Sequence, residues 1–108
     1  MRHLQRLGYR LLDRNWRIRR YELDIVAIRG SVVSFVEVKT RTRGAQLAVE
    51  SVAPAQRRRI RRAAEAWIHA HPGVGREFRF DVVSVDLFPG RPPAVQLIAG
   101  AFVGDDLL

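Results

Sequence analysis

A mixed α/β domain is the architecture this sequence predicts, and three features carry that reading. Two runs rich in β-branched residues flank a turn signal at Arg29-Gly30, giving a hairpin over Glu22–Lys39 (ELDIVAIRGSVVSFVEVK). Proline 54 opens a segment whose apolar residues recur at helical spacing. Two alternating apolar runs come after it. With 108 residues and an apolar share of 47%, the chain suits one domain, residues 1–108, with a modest core.

Met1 to Leu7 read as the last turns of a helix, with Leu4 and Leu7 on one face and Gly8 ending it. Tyr9 to Ile18 (YRLLDRNWRI) read as a first strand, irregular near Asp13-Arg14-Asn15, and Arg19-Arg20-Tyr21 connect it to the hairpin. Beyond Lys39, Thr40-Arg41-Thr42-Arg43-Gly44 form a basic exit from the strand. Ala45 to Ala53 are expected as loop with a helical turn. From Pro54, the stripe Ile60, Ala63, Ala64, Trp67, Ile68 and His71 marks the buried face of a helix that stops at His71-Pro72-Gly73. Glu77 to Leu87 form a strand, Pro89 to Pro93 a stiff turn, and Ala94 to Ile98 a last strand. Residues 104–108 are a loose tail.

Charge is the strongest global signal. A net charge of +8 favours polyanionic partners, nucleic acid before an anionic membrane surface or an acidic protein. Eighteen of the nineteen basic residues are arginine, so the lone Lys39 stands out as a compact point charge whose pKa its surroundings can move. The absence of cysteine excludes disulfides, thiolate metal sites and thiol nucleophiles. No run approaches the roughly twenty apolar residues of a membrane span, and MRHLQRLGYR has no apolar stretch behind it. A cytoplasmic protein without a membrane partner is expected.

The hairpin holds three of the eleven carboxylates. With a two- or four-residue loop centred on Arg29-Gly30, Ile28 faces Ser31, Val26 faces Val33, Asp24 faces Phe35 and Glu22 faces Glu37. Alternation then projects Glu22, Asp24, Glu37 and Lys39 from one face. Like charges set opposite each other destabilise a sheet unless a cation sits among them. The spacing D-x12-E-x-K suits metal-assisted phosphodiester hydrolysis, since magnesium takes hard carboxylate oxygens and a nearby lysine can orient water and stabilise developing charge. From the residues alone, a solvated hairpin face with a weak Glu-Lys pair fits equally. Arg57, Arg58, Arg59, Arg61 and Arg62 suit either a solvated helix face or a phosphate track. For Asp81, an ion pair with an arginine is the default, and Trp16 and Trp67 are assigned to the core.

Glu22-Leu23-Asp24-Ile25-Val26, then Phe35-Val36-Glu37-Val38-Lys39-Thr40-Arg41, then Arg79-Phe80-Asp81-Val82-Val83 resemble the YraN-type family of predicted endonucleases. That uncharacterised bacterial family is placed in the restriction-endonuclease-like PD-(D/E)xK superfamily, related to Holliday-junction resolvases. Gly8-Tyr9, Asn15 and Ala101-Phe102 also match its pattern, so the resemblance spans nearly the whole chain. It implies an αβββαβ core with a mixed sheet flanked by helices, plus an extra C-terminal strand. It implies a Mg²⁺- or Mn²⁺-dependent hydrolase acting on DNA, branched or structured DNA included, with a homodimer compatible. Asp24, Glu37 and the Val38 carbonyl would hold the metal, Lys39 would position the attacking water, and Glu22 would flank the site. Arg41, Arg43, Arg57, Arg58 and Arg61 are the candidate nucleic-acid contacts. The chain departs from the family pattern at Tyr21, where glycine is usual, and at Gln56, where lysine is common. It also begins inside a first helix that is usually longer and carries a further acid. A non-catalytic nucleic-acid-binding module on the same fold is the alternative expectation.

Overall fold

A computed structural model describes residues 2–42 and 54–102, the last two by backbone alone. The expected loop at Ala45–Ala53, Arg43 and the tail at 104–108 lie outside the described residues. Among the described residues seven elements follow one another: α1 (Arg2–Arg6), β1 (Arg10–Ile18), β2 (Tyr21–Arg29), β3 (Val32–Thr42), α2 (Pro54–Ala70), β4 (Glu77–Phe88) and β5 (Arg91–Phe102). The strands form one mixed sheet in the order β1-β2-β3-β4-β5, antiparallel except for β3 against β4. Parallel neighbours require a long crossover, and α2 lies within it.

The sheet separates two apolar layers. On one face Ile60, Ala63, Ala64 and Trp67 of α2 pack on Leu23, Val26, Val33, Phe35 and Phe80. The Trp67 ring meets Phe35 edge-on at 5.8 Å, as befits a core residue, while Trp16 packs against the rim of the same cluster. On the other face Leu4, Tyr9, Ile25, Ala27, Val36 and Val83 cluster. Five residues are too few for a free-standing helix, so α1 depends on the burial of Leu4. Leu7, expected beside Leu4, is instead 40% exposed. The helix closes before it: the Gly8 N–H donates to the Gln5 carbonyl and Gly8 adopts a φ of +91°, which turns Leu7 outward.

β1 is irregular where its sequence suggests, with a register shift between Leu11 and Asp13 and a positive φ at Asn15. Several boundaries differ from expectation, and Tyr21, expected in the connection, is the first residue of β2 and pairs with Ile18. The β2–β3 turn is Gly30-Ser31, one residue further on, because Arg29 pairs with Val32. Gly30, at φ +62°, takes the first central position that a type II′ turn reserves for glycine. The expected pairings of Glu22 with Glu37 and of Asp24 with Phe35 are therefore replaced: Val26 faces Phe35, two residues out of the expected register. A shift of two preserves every side chain's face.

Thr40-Arg41-Thr42 is strand rather than exit, since the parallel ladder with β4 runs unbroken from Val32↔Glu77 to Thr42↔Leu87. The last strand is also longer than Ala94–Ile98 and takes in Arg91-Pro92-Pro93, leaving Pro89-Gly90 as the turn. Prolines are tolerated there because β5 is an edge strand with one side free of ladder bonds.

Ser34, Asp81 and Ser84 are the buried polar side chains among the described residues, and Asp81 is the charged one. Asp81 is fully buried and accepts from Arg79 Nε at 2.8 Å, the Gly100 N–H at 2.8 Å and the Ser34 hydroxyl. Arg79 also donates to the Tyr9 hydroxyl, so the network joins β3, β4 and β5 to the segment between α1 and β1. The arginine partner expected for Asp81 is thus Arg79. Removing the acid strands its donors, and Asp81→Ala is expected to lose about 3–5 kcal/mol of stability in urea unfolding. An unchanged midpoint would contradict this role.

Candidate active site

β2 and β3 share backbone hydrogen bonds only as far as Ile25↔Val36. Beyond that point each strand stays paired on its outer side, β2 with β1 to Tyr21 and β3 with β4 to Thr42. The two inner edges part, and the site lies in the opening. Carried one step past its last pair, the register sets Asp24 against Glu37. The Val38 N–H, released from the ladder, donates to Asp24 Oδ2 at 2.9 Å. In an antiparallel ladder the N–H and C=O of one residue face the same neighbour, so the Val38 carbonyl faces β2 as well.

The alternation that buries Val33 and Phe35 under α2 also turns Glu37, Lys39 and Arg41 toward the α2 side of the sheet. There Gln56, in the first turn of α2, bridges two of them. Its Nε2 donates to Glu37 Oε2 at 2.7 Å, and its Oε1 accepts from Lys39 Nζ at 3.1 Å. The lysine ammonium is thereby held beside the acids. Between the carboxylates is a cleft of about 10 Å³ lined by Glu22, Asp24, Phe35, Glu37 and Ile60, room for roughly one water-sized sphere.

Burial, followed by the hydrogen bond and the charge of Asp24, pushes the Glu37 carboxyl up from its ordinary value near 4.5 to about 8, against smaller opposing effects of Lys39 and Gln56. Two carboxyls forced together in a half-buried cleft favour a proton or a cation between them. The oxygen donors are of the kind that hard divalent ions take. Among the described residues no three His, Cys, Asp or Glu side chains form a metal cluster, so the donor set here is two carboxylates plus backbone.

The other candidates are dispersed. Glu22 accepts from Arg17 Nε at 2.8 Å across the β1–β2 pair, where both side chains are exposed, so it flanks the cleft rather than completing it. Arg58 and Arg61 line an open groove of about 770 Å³ along α2, shared with Tyr21, Arg59 and Arg62, whereas Arg57 is not part of its lining. His71 stacks on Trp67 at 4.1 Å and belongs to the core rim. Gln56 is the member that reading the sequence for charged residues passes over; its only local signal is a polar residue two positions after the helix-opening proline.

The sequence profile of "Uncharacterised protein family UPF0102" matches residues 1–85. A UPF0102 protein of Anaeromyxobacter dehalogenans is 46% identical over 99 residues, covering 91% of this chain and 73% of that protein. One from Mycolicibacterium vanbaalenii is 46% identical over 99 residues, covering 91% and 82%. A third, from Geobacter sulfurreducens, is 41% identical over 101 residues, covering 93% and 79%. Among the described residues no helix is long and apolar enough to cross a membrane.

A carboxyl whose value is raised by folding binds its proton more tightly in the native state. The stability contributed by Glu37 is therefore fully present below about pH 4.5 and lost as pH rises through about 8. In EDTA, the melting temperature is expected to fall across this window, and Glu37→Gln, which keeps the shape without the charge, to flatten that part of the fall. A Glu37→Gln profile parallel to wild type would refute the assignment.

Proposed function

Since the chain belongs to uncharacterised protein family UPF0102, the YraN-type family its motifs resemble, we propose that it is a divalent-metal-dependent endonuclease acting on DNA, branched or otherwise structured DNA in particular. On this reading α1, the sheet and α2 are a restriction-endonuclease-like αβββαβ core of the PD-(D/E)xK type, and β5 is its added strand. The observation that carries the proposal is the juxtaposition of Asp24 and Glu37 in the β2–β3 opening, with Lys39 held against them by Gln56.

Asp24, Glu37 and the Val38 carbonyl are the groups that would hold Mg²⁺ or Mn²⁺. When bound, such an ion supplies Lewis acidity toward a phosphoryl oxygen and draws the phosphodiester onto an otherwise acidic spot. The Lys39 ammonium, fixed at its tip, orients the attacking water and meets the negative charge that develops on the phosphorane. Gln56 keeps both groups in place by accepting from one and donating to the other. Arg41, on the same face of β3, continues the row toward the DNA backbone.

Cleavage of four-way junctions, flaps and single strands in Mg²⁺ or Mn²⁺ is the direct test. Asp24→Ala is expected to abolish turnover, and Lys39→Ala to lower it roughly 10²–10³-fold, as loss of one preorganised donor does. Calorimetric titration should show metal uptake that Glu37→Gln weakens. Wild-type protein inert on every substrate overturns the enzymatic reading; salt-sensitive DNA binding without metal uptake would establish a non-catalytic binding module in its place.

A further inference from the structure

The groove along α2 is separate from the carboxylate cleft and has its own chemistry. Arg58, Arg59, Arg61 and Arg62 form one wall, with Glu65 the single carboxylate among the lining residues. Tyr21 forms the other wall and belongs at the same time to a smaller depression with Arg19 and Arg20 at the β1–β2 turn. Six arginines thus surround one tyrosine. Arg20 lies over the Tyr21 ring at 5.5 Å, and the phenol is pulled below its ordinary value by Arg20 first, with Arg62 and Arg19 adding to it. The positive field converges on this ring.

The turn itself is unusual. Ile18 pairs with Tyr21 across a two-residue loop, and Arg19 in that loop adopts a φ of +54°, a conformation that favours glycine. An arginine stands where glycine is conformationally easier, and it lines the depression beside Tyr21, whose phenol feels its charge. Strained backbone at a charged surface is a pointer to binding. The groove is open and lined by guanidinium groups, unlike the enclosed apolar pockets that hold small molecules. Guanidinium groups that track phosphates, together with an aromatic ring on which a base can stack, are the recurring elements of single-strand recognition.

We infer that this groove, with Tyr21 as its stacking platform and Arg19, Arg20, Arg58 and Arg62 as its phosphate contacts, binds an unpaired strand of DNA. An incoming base takes the place of the Arg20 guanidinium over the ring, and the displaced guanidinium turns to a phosphate. Tyr21 precedes Asp24 by three residues of β2, about 10 Å of extended chain, so the unpaired strand lies next to the cleft. The inference deepens the nuclease proposal: it assigns the unpaired branch of a flap or junction to the α2 groove and leaves the duplex arms to other surfaces.

The test is metal-free, which separates it from cleavage. Fluorescence anisotropy of a labelled 12-residue oligothymidylate and of a 12-base-pair duplex is measured in EDTA with the full chain. Tyr21→Leu, which keeps an apolar side chain against the α2 layer without a ring, should weaken oligothymidylate binding about tenfold, and Tyr21→Phe should bind as wild type. Duplex affinity should change less than twofold in both. Arg19→Gly, which relaxes the turn and removes one charge, should weaken single-strand binding without lowering the melting temperature. Equal oligothymidylate affinity for Tyr21→Leu and wild type overturns the inference, as does an equal loss for duplex and single strand. Tyr21-dependent binding to polyglutamate or to phosphatidylserine vesicles of the same strength also overturns it, in favour of an acidic protein or a lipid surface. Tyr21-dependent binding with no cleavage in any metal leaves this groove standing while the nuclease reading fails; cleavage with no Tyr21 dependence does the reverse.

Discussion

β2 and β3 stop exchanging backbone hydrogen bonds after Ile25 and Val36, and Asp24 takes up the slack by accepting the Val38 N–H. The rest of the site depends on that opening. Each strand continues because its outer partner still pairs with it, β1 on one side and β4 on the other. A continued ladder would have occupied the Val38 backbone and filled the gap with main chain. The divergence turns an in-register carboxylate pair into a cleft lined also by Phe35 of β3 and Ile60 of α2. The roof is the first turn of α2, whose Gln56 reaches across from the helix to both Glu37 and Lys39.

The charge distribution has two scales that work against each other. Over the whole surface, eighteen arginines draw polyanions toward the protein. Locally, Asp24 and Glu37 repel the same polyanions from the one place where Lys39 waits. On the proposed reading a divalent cation would reconcile the two; burial and the neighbouring Asp24 also raise the Glu37 carboxyl, which favours a proton there. The same opposition explains the composition of the hairpin. Lysine at 39 can be fixed by a single glutamine oxygen, a geometry that suits a compact ammonium better than a planar guanidinium fork.

Much of the architecture can be read locally because it rests on local rules. Pro54 and the apolar stripe through Trp67 define α2, and the strands follow from alternation. Arg79 and Asp81 are two residues apart on one strand, so their pairing needs no long-range knowledge. The hairpin register is the instructive error. The Arg29-Gly30 signal misplaces the turn by one residue and every pair by two, yet Glu37 and Lys39 keep the α2 side because a shift of two preserves a side chain's face, while β2 departs from strict alternation, with Leu23 and Val26 both in the α2 layer. What changes is the opponent: Glu37 meets Asp24 rather than Glu22, and Glu22 is left to Arg17. Strand lengths fail for a different reason. Thr40-Arg41-Thr42 extends β3 because β4 pairs each of its residues, and the last strand starts early because Arg91 pairs with Phe88 ahead of the two prolines.

The sequence by itself determines the order of the elements, the face from which Glu37 and Lys39 project, and the basic character of the surface. These are properties of neighbours in the chain, encoded in periodicity, turn residues and composition. Tertiary structure alone decides where β2 and β3 separate, which carboxylates meet, that Gln56 ties Lys39 to Glu37, and that Tyr21 lies among arginines from two elements. Gln56 is 17 residues from Lys39 and 19 from Glu37 along the chain. Contacts at such separations are set by how α2 crosses the sheet from β3 to β4, and no local pattern specifies that packing. Asp24 and Glu37 become a site only where a ladder ends, and a ladder ends where the strands on either side of it pull apart.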